Sequence, residues 1–143
     1  MNIEQCVEKG LLVEIAKDLQ KAKASVDTAR HKLDLAIKER EHRIWEGAIL
    51  SGYTSMFHAA RALLFKDGYK ERSHYAVGVY VKEKYANRIE MKYLTQFESV
   101  RLQRHEVLYG LERDFELDER EAKDSVEMAA GFLEAVEKII KES

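Results

Sequence analysis

Proline is absent from the 143 residues, glycine occurs 7 times and cysteine once. With no proline and little glycine, few positions force a helix to stop. The solitary Cys6 excludes an internal disulfide and a thiolate zinc site, and suits a reducing compartment. Charge of one sign is lacking too, because 24 Lys+Arg stand against 26 Asp+Glu for a formal net charge of -2. No bulk excess therefore draws the whole molecule to nucleic acid or an anionic membrane, and such binding would need a local patch. No apolar run approaches membrane-spanning length, and the opening MNIEQCVEKG has no apolar core of a cleavable signal. Apolar residues make up 45% of the chain, enough to bury a core at this length. The expectation is one cytoplasmic domain over residues 1–143, with no membrane partner.

What is present is helical periodicity. Leu11, Ile15, Leu19, Ala22, Val26, Ala29, Leu33 and Ile37 recur every three or four residues, which predicts one long amphipathic helix. From Ile44 to Phe65 two apolar rows run side by side, so that helix is predicted to be central and the most buried. A single helix through both would be too long for a compact domain, so the chain must turn back near residues 38–43. Asp67-Gly68 marks the end of the second helix, and Ser73 reads as an N-cap. Val77, Val79 and Val81 alternate like a strand, but with no partner strand in the sequence a short helix is the better reading. Asn87 with Glu90 and Asp118 with Glu121 predict the starts of a fourth and a fifth helix. The last has a clean stripe: Ala122, Val126, Ala129, Leu133, Val136 and Ile140. The fold class is therefore all-α, a bundle of about five helices, without internal repeats.

Candidate chemistry concentrates on the fourth helix. Val100, Arg104, Val107, Leu108 and Leu111 fall at helical spacing, which sets a guanidinium within an apolar stripe. Burying it unpaired is costly, so it needs a carboxylate, a phosphate or a second subunit. On the adjoining face Arg101, His105 and Tyr109 follow at i, i+4 and i+8. Fixed positive charge, a group titrating near neutrality and a phenol can bind a phosphodiester and assist proton transfer in RNA cleavage. The structural alternative pairs Arg104 with a core acid and leaves His105 and Tyr109 as ordinary packing residues. His105-Glu106 begins a zincin-like pattern, but its fifth position is Tyr109, so no metal or cofactor site is expected. His58 in MFHAAR and His74 after Ser73 are binding candidates whose alternative is packing, while His31 and His42 are expected in solvent. Lys66, Lys70 and Arg72 surround the Gly68 loop, where basic groups can meet phosphates or simply face solvent.

The stretches SGYTSMFHAARALLFKDGY, SHYAVGVYVKEKY, Arg104 to Tyr109 and EAKDSVEMAAGFLEAVEKII resemble a HEPN domain (higher eukaryotes and prokaryotes nucleotide-binding) over about residues 11–141. That resemblance implies an up-and-down helical bundle, commonly a homodimer, often encoded beside a minimal nucleotidyltransferase as a toxin–antitoxin pair. Active members are metal-independent endoribonucleases with an Arg, four to six intervening residues and a His on one helix, two such helices meeting across the dimer. Arg104 corresponds to the family arginine. The histidine would fall at Tyr109, Gly110 or Leu111, none of which is histidine, so the motif is incomplete. A phenol with an ordinary pKa near 10 is a poor base at neutral pH beside an imidazole near 6.5. His105 points about 100° further round the helix than Arg104. The favoured expectation is a dimeric HEPN-like protein that binds nucleotide or RNA, or partners a nucleotidyltransferase. The alternatives are an endoribonuclease toxin using Arg104, His105 and Tyr109, and a bundle whose only activity is self-association.

Overall fold

The computed structural model describes the backbone of residues 1–109 and 118–143, and side chains for residues 1–103 and 118–143. Its elements are α1 (Ile3–Glu8), β1 (Leu12–Glu14), α2 (Leu19–Glu41), α3 (Trp45–Asp67), β2 (Tyr69–Glu71), α4 (His74–Lys84), α5 (Met91–Tyr109) and α6 (Glu119–Lys141). The class is all-α, as expected, with a helical bundle built round α3. That helix is apolar on most of its girth and buries Ala48, Ile49, Tyr53, Met56, Leu63 and Leu64 among others, because it packs against α2 on one side and α6 on the other.

Small residues set how closely these helices approach. Ala22, Ser25, Ala29 and Ala36 of α2 face Ser55, Ala59 and Ala62 of α3, all buried. The two buried hydroxyls bond across the seam, Ser55 Oγ to the Ala29 carbonyl and Ser25 Oγ to the His58 carbonyl, each at 2.7 Å. On the other flank, a Cβ placed on Gly52 would lie 3.2 Å from the Ser125 carbonyl oxygen of α6. The α6 stripe is buried as its spacing predicts, and Asp118 caps it by accepting from the Glu121 amide at 2.9 Å. The turn between α2 and α3 falls where expected. Without a glycine there, Arg43 itself takes the left-handed φ of 62°.

Two local expectations are corrected. The first long helix does not begin at Leu11: residues 12–14 form a strand antiparallel to β2, with Leu12 opposite Glu71 and Glu14 opposite Tyr69. Burial falls from Leu12 through Val13 to Glu14 without a period-2 alternation, and the three-to-four spacing of Leu11, Ile15 and Leu19 reads as helix. Helix α2 starts only after Asp18, whose carboxylate accepts from the Lys21 amide at 2.9 Å. The fourth predicted helix, α5, begins at Met91 and not at Asn87. There the chain first completes a turn in which the Ile89 amide bonds to the Tyr85 carbonyl and Ile89 is buried. Ser73 occupies the N-cap position of α4, yet its side chain makes no capping bond. A short helix, α1, is added at the start, capped reciprocally by Asn2 and Gln5.

The end of α3 fixes α4. Gly68 closes α3 at φ 92°, and the Ile15 amide bonds to its carbonyl at 2.9 Å. Just before it, Asp67 accepts from Lys66 Nζ at 2.8 Å and from the hydroxyls of Tyr80 and Tyr85 at 2.7 and 2.6 Å. Burial alone would raise the Asp67 carboxyl. The three donors outweigh it and hold the carboxyl below its ordinary value of 3.8. The same burial and the same carboxylate push both phenols well above their ordinary 10. One carboxylate thus ties the last turn of α3 to the far end of α4.

Two outcomes follow. Gly68→Ala forces a side chain into a left-handed backbone and sets its Cβ 2.9 Å from the Ile15 carbonyl oxygen. It should cost roughly 2 kcal/mol, read as a fall in melting temperature of about 5–10 °C. For Asp67, a depressed folded pKa means stability that is present above the unfolded pKa and lost as pH falls through the folded one. For Tyr80 and Tyr85, a raised folded pKa means stability lost as pH rises above the ordinary phenol value near 10. Denaturant melts should therefore show an acid limb that Asp67→Asn flattens and an alkaline limb that Tyr80→Phe with Tyr85→Phe flattens.

Candidate functional site at the junction of α3, α4 and α5

His74 is the first residue of α4, and three aromatic rings from two other helices fix the space around it. Its ring stacks on Phe57 with centroids 4.1 Å apart and planes 12° off parallel. Its Nδ1 shares a hydrogen bond of 2.7 Å with the Tyr53 hydroxyl. Tyr53, itself buried, stacks in turn on Phe97 of α5 at 5.1 Å. A column of rings therefore runs from Phe97 of α5 through Tyr53 and the His74 imidazole to Phe57 of α3.

Arg101 lies on the same junction, two turns before the end of α5. Its guanidinium is 5.6 Å from the centroid of the Tyr75 ring on α4. Glu98, one turn earlier, accepts from its Nε at 3.0 Å and from its Nη2 at 2.6 Å. Those hydrogen bonds raise the Arg101 pKa against the opposing effect of burial, so the cation is permanent and already forked onto a carboxylate. An incoming anion would share Arg101 with Glu98 or displace it.

His58 is drawn into the neighbourhood through Phe57. Its ring meets that of Phe57 edge-on at 5.5 Å, and the Arg61 guanidinium is 5.8 Å from the Phe57 centroid. Burial first, then the positive charges of Arg61 and Lys32, lower the His58 pKa below 6.5. His58 is accordingly a neutral imidazole at neutral pH. His31 and His42 are exposed, as expected.

The structure thus brings together three of the sequence candidates, His58 and His74 on one Phe57 ring and Arg101 against the residue next to His74. Arg104, His105 and Tyr109 continue α5 as backbone, while their side chains lie outside the described residues. Val107 and Leu108 of the predicted stripe share that position, and Gly110 and Leu111 lie outside the described residues altogether. Sequence reasoning missed Tyr53, Phe57, Tyr75 and Phe97 as the frame of this junction. Only the i, i+4 spacing of Tyr53 and Phe57 and the i, i+3 spacing of Glu98 and Arg101 hinted at it. Among the described residues no group of three or more His, Cys, Asp or Glu side chains is placed to hold a metal, and no helix is long and apolar enough to cross a membrane.

Set against known proteins, residues 22–139 match the family model of the HEPN domain. No curated protein and no solved structure matches the chain. The matched span opens at the first buried alanine of α2 and closes in the last turn of α6, so it takes in the whole junction just described. The chain belongs to the HEPN domain family.

Proposed function

We propose that this HEPN-family protein is a homodimer that binds RNA or nucleotide phosphate along α5, or partners a minimal nucleotidyltransferase, in place of cutting RNA itself. One observation carries the reading. Helix α5 is unbroken through Tyr109, so Arg101, Arg104, His105 and Tyr109 share one helix, and a tyrosine stands at the fifth position after Arg104, where active relatives of this type carry histidine. A phenol retains the hydrogen-bonding capacity to orient a phosphate but is a weak base near neutrality. The described histidines support the same reading, since His74 is held in an aromatic column and His58 is neutral and anchored beside Arg61. On α5 itself Leu102 is 54% exposed, an apolar side chain that a second copy of the helix would cover.

The full chain should be a dimer by light scattering and should retard a labelled single-stranded RNA in EDTA without shortening it from about pH 5 to about pH 9. Arg104→Ala should weaken RNA or ATP binding about tenfold or more. Cleavage that disappears in Arg104→Ala would establish the endoribonuclease reading instead. A dimer with no affinity for RNA or nucleotide would leave self-association as the activity.

A further inference from the structure

The groove between α2 and α3 carries a line of cations that neither the core nor the α5 reading uses. Ser25 of α2 bonds to the His58 carbonyl, which fixes the register of the two helices at that point. One turn before Ser25, Lys21 sets its Nζ 4.6 Å from the centroid of Phe65. Arg61 approaches the same ring at 5.2 Å. Two turns after Ser25 comes Lys32, close enough for its charge to act on His58. Lys21, Ser25, Thr28 and Lys32 fall on one stripe at about 100° per residue, whereas Asp27 and Asp34 fall on the far side of α2. The one carboxylate further along that stripe, Glu39, is hydrogen-bonded to Ser51.

Arg61 is built for this position. Glu71 of β2 holds its carboxylate Oε1 2.7 Å from Arg61 Nε, and that carboxylate is buried, with 7% of its side chain exposed. The approach is an ion pair without hydrogen-bond alignment, so Nε and Glu71 Oε2 are both buried with no hydrogen-bond partner. Nη1 and Nη2 of Arg61 are not among the buried unpartnered atoms, and they make no hydrogen bond within the described residues. Glu71 therefore engages the inner nitrogen of Arg61 while the Phe57 and Phe65 rings flank its guanidinium, and the charge of the same guanidinium acts on the neutral His58.

We infer that the α2–α3 groove is a second phosphate-binding track, in which Lys21, Lys32, His58 and Arg61 follow the backbone of single-stranded RNA. A guanidinium fork, two ammonium groups, an imidazole and the Thr28 hydroxyl are the donors that meet phosphates. Lys21 and Lys32 are about 16 Å apart along the helix at roughly 1.5 Å per residue, a span of several nucleotides. A linear array of this reach fits a strand better than a lone phosphate or mononucleotide. The inference rests on the RNA-binding reading but places the binding on a different face.

The test uses the full chain, a fluorescein-labelled single-stranded RNA, and anisotropy titrations at several salt concentrations. Lys21→Glu with Lys32→Glu should weaken binding about tenfold or more and reduce the salt dependence, by roughly 0.7 in log–log slope for each phosphate that is no longer neutralised. Lys21 is exposed and Lys32 lies at the surface, so circular dichroism melts should be unchanged. Arg61→Lys keeps the charge but removes the fork, and should weaken RNA binding; it should also lower the melt, because the buried Glu71 carboxylate loses its guanidinium partner, so the stability-neutral lysine variants carry the test. If the double variant binds RNA like the parent while Arg104→Ala does not, the track is overturned and the α5 reading stands. If the parent binds no RNA, both fall. Binding of vesicles rich in anionic phospholipid that RNA fails to compete away would overturn the track in favour of a membrane surface.

Discussion

The close approach of α2 to α3 is the constraint on which the rest depends. Two buried serine hydroxyls donate their hydrogen bonds to carbonyls of the facing helix, Ser55 to Ala29 and Ser25 to His58. A buried hydroxyl without a partner costs about 1–3 kcal/mol, so these bonds permit only one register along an otherwise smooth alanine seam. Alanine-on-alanine packing by itself has little to resist a one-turn slip, because small side chains leave shallow grooves. Register then determines what stands over the seam at the surface: Lys21 meets the Phe65 ring, Ser25 bonds to the His58 carbonyl, and the charge of Lys32 acts on the His58 imidazole. A packing detail of the core thus decides which charges face the groove.

The other junction is held by equally few groups. Asp67 and the β1–β2 pair act on the same few residues at the end of α3: Asp67 reaches Tyr80 and Tyr85 of the α4 segment, and β2 is tied to β1 directly after Gly68. With α4 held at its far end by Asp67 and at its near end by the strand, His74 has no freedom except its own rotamer, which Tyr53 and Phe57 fix. The carboxylate that ties the elements is also the one that keeps two phenols neutral, so the same bonds that locate α4 prevent charge from appearing in its packed face.

Much of this was legible wherever the cause is local. The Gly68 stop, the Asp118 cap and the α6 stripe each depend on a handful of consecutive residues, and each appears in the structure where the spacing puts it. Strand β1 was not legible, because three residues become a strand only through Tyr69–Glu71, far along the chain, and they carry no alternation of their own while Leu11, Ile15 and Leu19 keep a helical spacing across them. The start of α5 was missed for a related reason: Ile89 must be buried first, and the turn that buries it displaces the helix to Met91. Of the candidate site, His58, His74 and Arg101 could be picked out as residue types, but the column through Tyr53, Phe57 and Phe97 needs three helices to meet and leaves no mark on any one of them. Membership of the HEPN family was legible in the central helix, since its most specific run, Tyr53 to Leu64, is also the helix that every neighbour packs against.

The near-zero net charge conceals opposite biases that the fold keeps apart. Helix α2 carries six basic residues and four acidic ones, while α6 carries six acidic and four basic. Arg30 of α2 pairs with Glu137 of α6, so the two biases cancel along the edge where those helices meet. Lys21 and Lys32 lie on the other edge, toward α3, where the described neighbours acting on His58 are cations alone. Exposed charges further apart than about 8 Å are largely screened at physiological ionic strength, so a ligand in that groove responds to the nearby lysines and Arg61 and hardly at all to the acids of α6. Glu71 does not undo this, because it lies buried behind Arg61 and acts on the inner nitrogen of the guanidinium, orienting the cation that it partly neutralises. A formal charge of -2 for the whole chain is therefore compatible with a locally cationic groove, and the helix register set by two serines is what keeps that groove cationic.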